Sequence, residues 1–140
     1  MTSNGEVKIA AARQDQSKRD KLDLRERLLG KTARTKTLTV NIDGDSLELK
    51  FQALSSKNLD ELRSKHQPTA KQRVEGLGVN VDTFNPALVA ATLIQPELTY
   101  DEAVELFSAE NWSAGELGQI FQTASDVCLE GMDIPRNASV

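Results

Sequence analysis

A chain of 140 residues with 39% hydrophobic and 27% charged residues holds one compact domain with a modest core and excludes two of ordinary size. Its single cysteine excludes an internal disulfide framework, and its longest nearly apolar run, residues 87–94, is far too short to span a bilayer. The net charge of −4 divides into ten Lys/Arg against five Asp/Glu in residues 1–36 and seven against sixteen in residues 37–140, which makes the folded part a poor binder of nucleic acid, because such affinity comes largely from Lys and Arg displacing counterions.

Residues 1–36 read as a flexible basic arm. The opening, MTSNGEVKIAAARQDQSKRD, lacks the apolar stretch of a secretory signal, so a reducing, cytoplasmic setting is expected. The middle of the arm, QSKRDKLDLRERLLGK, is rich in helix formers, with Leu24 and Leu28 four apart and Leu22 and Leu29 seven apart. A helix this short is marginal in water and forms on docking to something; Gly30 stops it.

The clearest strand signal follows. In KTLTVNIDGDSLELKF, Leu38, Val40 and Ile42 alternate with polar neighbours, and Leu47, Leu49 and Phe51 do the same after Asp43-Gly44-Asp45. This pattern predicts a β-hairpin over 37–52 with one apolar face. A lone hairpin is barely stable, so that face must lie against helices.

The remainder reads as helical. SSKNLDELRSKH opens with serine caps, places Leu59 and Leu62 three apart and is ended by Pro68. TAKQRVEGLG predicts a short helix with Val74 and Leu77 on one side, closed by Gly76 and Gly78. Asn85-Pro86 reads as an N-cap followed by proline in the first helical position, opening a buried helix over 87–94 that Pro96 stops. Thr99 with Glu102 and Ser113 with Glu116 form two capping boxes. In the last helix Leu117, Ile120, Phe121, Ala124 and Cys128 fall on one face, with Gly131 as its C-cap. Residues 132–140 read as a loose tail. The expected architecture is therefore α+β, mainly α: a hairpin packed on a small helical domain spanning 37–131, preceded by the basic arm.

No pattern of catalytic, cofactor-binding or metal-binding residues emerges, and the reading is of a non-enzymatic protein without cofactors. Asn41, Asp43 and Asp45 copy the first ligands of an EF-hand loop, but its sixth and twelfth places hold Ser46 and Gln52 instead of Gly and Glu; a hairpin turn accounts for them. His66 has no companions at zinc-ligand spacing, and Cys128 reads as a small core residue. Trp112, between the two capped helices, suits either a plug at the corner where the helices meet or an interaction hot spot. Glu97, Asp101, Glu102, Glu105 and Glu110 gather around the first capped helix, and Val74 to Pro135 contains eleven acids and no base. Such a surface provides helix-dipole compensation and solubility, or a docking face for a basic or amphipathic partner.

The run from Lys36 to Gly131 resembles the tail assembly chaperones of long-tailed bacteriophages, particularly those infecting actinobacteria. The resemblance rests on the hairpin TLTVNIDGDSLELKF, the segment ALVAATLIQPEL and the helix pair YDEAVELFSAENWSAGELGQIFQTASDV, with Leu93, Pro96, Leu98, Ala103, Val104, Leu117, Ile120 and Phe121 in the positions that pattern occupies. It implies a transient factor that binds the tape measure protein, keeps that long helical chain soluble, brings tail tube subunits around it and leaves the finished virion. It also implies a short form to which a ribosomal frameshift appends a second segment beyond Gly131. The basic arm lies outside the resemblance. Its charge, opposite to that of the domain, favours self-association. Two other readings stay open: a structural head–tail or tail component retained in the virion, and a small nucleic-acid-associated regulator that uses the arm.

Overall fold

The structure, a computed structural model, describes residue 21 and residues 23–129, and the chain divides after Thr32 into two units. In the first unit Lys21 and residues 23–29 form a helix, α1, ending at Gly30, whose amide donates to the Glu26 carbonyl at 2.8 Å. Arg27 and Asp23, one turn apart, form an exposed ion pair at 3.1 Å. The expected C-cap at Gly131 and the tail at 132–140 lie outside the described residues.

The second unit is a three-stranded antiparallel sheet with helices packed on it, a mixed α+β fold that is mainly α. The hairpin consists of β1 (Thr35–Ile42) and β2 (Asp45–Gln52), in register from Thr35 opposite Gln52 to Ile42 opposite Asp45. That register leaves a two-residue loop. Asp43 and Gly44 both adopt positive φ, 51° and 89°, the conformation of a type I′ turn whose twist matches the flanking strands. β1 starts two residues earlier than the alternation indicates: Thr35 is paired, and Lys36, opposite Phe51, lies 3.8 Å from Asp126.

Helix α2 (Ser56–Lys65) is capped by the Ser55 hydroxyl, which accepts the Asn58 amide, and turns Leu59 into the core with Leu62 half-buried beside it. Helix α3 (Ala70–Val74) departs from the expected apolar side. Val74 is 89% exposed, and the buried residue is Gln72. Thr69 and Gln72 make a reciprocal capping box, so on a helix of five residues the cap side chain takes the inward position. The Leu77 amide reaches the Gln72 carbonyl and the Gly76 amide the Arg73 carbonyl, a Schellman closure in which Gly76, at φ 85°, supplies the left-handed residue.

The buried helix, α4 (Val81–Thr92), begins five residues before the expected Asn85-Pro86 start. Its cap is Asn80, whose side chain accepts the Asp82 amide, and Pro86 lies inside the helix and buried. Proline has no N–H to return to the Asp82 carbonyl, so one rung of the ladder is missing there. The apolar run also does not stay helical to residue 94. Thr92, fully buried, turns its hydroxyl back to the Leu88 carbonyl at 2.7 Å, and Leu93–Gln95 become an unexpected third strand, β3, on the outer edge of β2.

Helices α5 (Tyr100–Ser108) and α6 (Ala114–Leu129) complete the unit, each opened by its expected capping box. α6 packs across both hairpin strands and against α4. Its buried face is Ile120, Thr123, Ala124 and Val127, with Phe121 and Cys128 half-buried at its margins. These meet Phe51, Leu59, Phe84, Leu88, Val89 and Leu93 in one core, where each fully enclosed large side chain contributes about 1.5–3 kcal/mol. No described helix is long and apolar enough to cross a membrane.

Candidate interaction surface

Two of the grooves that the fold leaves among the described residues have walls set by these elements. The first runs beside β1 near the hairpin turn. Because α6 covers the open end of the hairpin, Leu38, Leu49 and Phe51 reach the core, while towards the turn the same face is left short of cover. Leu47, opposite Val40, is 47% exposed. Trp112, in the link between α5 and α6, is half-buried: one part packs on the core, and the rest closes this end of the hairpin. Two adjoining cavities of about 250 and 230 Å³ share Trp112 and Asn41, one reaching Glu116 and Gln119 and the other Ile42 and Asp43. The result is a mixed surface in which Trp112, Val40 and Ile42 stand among Thr39, Asn41, Asn111 and Gln119, with the carboxylates of Asp43 and Glu116 beside them.

The second groove, of about 230 Å³, lies between α4 and α5 and has a mixed lining: Val81, Pro86, Val104 and Phe107 together with Asp82, Asn85 and Ser108. Asp101 and Glu105, both exposed, form the next ridge of α5. The sequence pattern marked the acids but not the apolar part of the lining. Val104 and Phe107 sit three apart on a helix that reads as an ordinary amphipathic one, and only the packing of α5 beside Pro86 shows that their outer side stays open.

Glu102 and Glu116 are held below the usual glutamate range, first by the backbone amides of Thr99 and Ser113 and then by the hydroxyls of the same residues. Charge held at these two helix starts complements the helix dipole. These carboxylates act as caps, whereas Glu97, Asp101, Glu105 and Glu110 are exposed acids on the same side chain-rich segment.

The residues weighed as sites from spacing are not brought together. Asp43 and Asp45 belong to the turn and to the start of β2, and among the described residues no group of three or more His, Cys, Asp or Glu is placed to hold a metal ion. His66 joins the end of α2 to the start of α4. Its Nδ1 lies 2.9 Å from the Thr83 hydroxyl, its carbonyl accepts the Asn80 amide, and its ring centroid is 6.2 Å from Phe84 and 6.1 Å from Tyr100. Cys128 accepts the Leu54 amide on Sγ at 3.5 Å. Both have structural employment: His66 spans a helix connection, and Cys128 fills the margin of the core.

Comparison with known protein families, with curated proteins and with solved structures gave no match.

Proposed function

We propose that this protein is a tail assembly chaperone of a long-tailed bacteriophage, a non-enzymatic factor that binds the tape measure protein in the host cytoplasm and promotes assembly of the tail tube around it. The observation that carries this reading is the Trp112 surface: a groove with Val40 and Ile42 incompletely covered and the carboxylates of Glu116 and Asp43 at the rim, beside the exposed Leu47 that pairs with Val40. Such a surface suits the apolar stripe of an amphipathic helix, the recognition mode expected for a long helical client. The base-free stretch from Val74 to Pro135 supports it too, since a surface of one charge keeps the complex of chaperone and client dispersed.

In this role the protein shields the client until tail tube subunits arrive, and it is absent from the mature virion. The decisive experiment is co-expression with the long tape-measure-like product of the neighbouring gene. The reading expects that product to be insoluble alone and soluble, and co-purified, with this chain. A product that is soluble alone and does not co-purify rules the reading out. Mass spectrometry of purified virions separates it from a retained tail component, which is present in fixed copy number.

A further inference from the structure

The three-stranded sheet has β1 on one edge and β3 on the other, and the two edges are built differently. β3 is three residues long, its register against β2 shifts between Lys50 and Phe51, and Pro96, which has no N–H, follows it. A short, irregular edge that ends in proline discourages further pairing. β1 has none of these devices. It runs for eight residues without proline, in unbroken register with β2.

The ladder decides which backbone groups of β1 face outward. Ile42 and Asp45 close the two-residue turn as a hydrogen-bonded pair, and at the other end the Arg34 carbonyl accepts the Ala53 amide at 2.8 Å. Antiparallel pairing alternates. Lys36, Leu38, Val40 and Ile42 therefore turn their amides and carbonyls to β2, and Thr35, Thr37, Thr39 and Asn41 turn theirs away. Those four residues are exposed and uncharged, and among the described residues no strand lies on their outer side. Such a row of N–H and C=O groups is a template for one more strand.

We propose that this strand is β1 of a second copy, laid antiparallel across a two-fold axis so that the two sheets become one. With the axis at Leu38, Thr37 faces Thr39 of the second copy and Thr35 faces its Asn41, and all four outward residues are paired. With the axis at Thr39, Thr35 would fall opposite Asp43, in the turn. The occupant is a second copy because the edge is complementary to itself. Threonine meets threonine, a favourable cross-strand pair, and no like charges are brought together. On the other face the half-buried Leu38 meets its own counterpart and extends the apolar side of the hairpin. The two-fold also consumes the open edge of both copies and leaves only the short β3 edges outside, so the assembly closes. The contact is made by the backbone of β1 and needs no client. This inference is read from the protein alone and the chaperone reading from co-purification, so each can fail without the other.

The test is sedimentation equilibrium of the full-length protein over a range of concentrations, with amide exchange of the same samples followed by NMR. The expected result is a monomer–dimer equilibrium. The Thr37, Thr39 and Asn41 amides exchange rapidly in dilute protein and slowly in concentrated protein, while the Leu38 and Val40 amides, held by β2, are slow in both. Thr37→Glu with Thr39→Glu sets like charges opposite each other across the axis and is expected to raise the dissociation constant about tenfold or more. Thr37→Lys with Thr39→Lys is expected to do the same, and an equimolar mixture of the two variants to restore the dimer. Thr37→Pro removes an outward amide that β2 does not use, and blocks pairing by a second route. A protein that is monomeric at every concentration overturns the proposal. So do outward amides already protected in the monomer, which would place another part of the same chain on the edge. Assemblies that grow past the dimer, a dimer indifferent to both charge pairs, or a mixture that stays monomeric overturn it as well.

Discussion

The carboxamide nitrogen of Gln72 donates to Oδ1 of Asn80 at 3.2 Å, and the same oxygen accepts the Asp82 amide. One side chain thus closes the capping box of α3 and braces the residue that starts α4. Removing an N-cap side chain costs about 0.5–2 kcal/mol. Asn80→Ala is expected to destabilise the fold by about 1–2 kcal/mol, because it also strands the buried Gln72 donor. Gln72→Ala should cost a similar amount, about 1–2 kcal/mol, and the double variant less than the two together. Urea denaturation of the four proteins checks this; strict additivity would show that the two residues act separately.

Ile120 and Val74 make opposite predictions from similar chemistry. Ile120 is 1% exposed at the crossing of α6 over the hairpin, and Val74 is 89% exposed at the end of α3. Ile120→Ala is expected to cost about 2–5 kcal/mol through lost transfer energy and a residual cavity. Val74→Ala should stay within about 0.5 kcal/mol of the parent. Thermal melts of both variants suffice.

Gly44 and Gly78 separate space from backbone conformation. A Cβ at either position meets nothing within 4 Å, yet only Gly44 has a positive φ, +89°. Gly44→Ala is expected to destabilise the hairpin by about 1–2 kcal/mol, the cost of placing a Cβ in the left-handed region. Gly78→Ala is expected to be neutral or slightly stabilising, since it removes freedom from the unfolded chain. Chemical denaturation of the pair compares them directly.

The two capping glutamates define an acid limb. Folding lowers the pKa of Glu102 and Glu116 below the ordinary value of 4.5. Their contribution is therefore complete above that value and is lost as pH falls through the lowered native value, because the unfolded state then binds more protons. Thermal stability of the wild type should fall below about pH 4.5, and Glu102→Gln with Glu116→Gln should flatten that part of the profile while lowering stability at pH 7. An unchanged acid limb in the double variant would assign it to other carboxyls.

The Trp112 surface makes a functional prediction. Leu47→Asp changes a side chain that is 47% exposed, so the fold should tolerate it while client capture falls. Trp112→Ala should also reduce capture, with some loss of stability from its core-facing part. Thr37→Asp, on the opposite face of β1, should leave capture intact. Pull-down of the co-expressed tape-measure-like protein measures all three.

Local chemistry alone determined much of this protein. The alternation of Leu38, Val40 and Ile42 against Leu47, Leu49 and Phe51 around Asp43-Gly44 carries strands, turn and register together, because only residues tolerant of positive φ close a two-residue hairpin loop. The boxes at Thr99–Glu102 and Ser113–Glu116 likewise announce their helix starts through side chains that bond neighbours three residues away. What lies beyond such short reach was decided by tertiary structure. The run 87–94 has no periodicity to separate helix from strand, and the free edge of β2, distant in sequence, draws Leu93–Gln95 into the sheet. Pro86 is carried inside α4 because Asn80, braced by Gln72, starts that helix a turn and a half earlier. The two grooves are differences between what packs and what is left over: Leu47 reads in sequence as part of the hairpin's apolar face and Trp112 as either a corner plug or an interaction hot spot, Phe107 carries no signal of its own, and only the placement of α4, α5 and α6 leaves part of each uncovered.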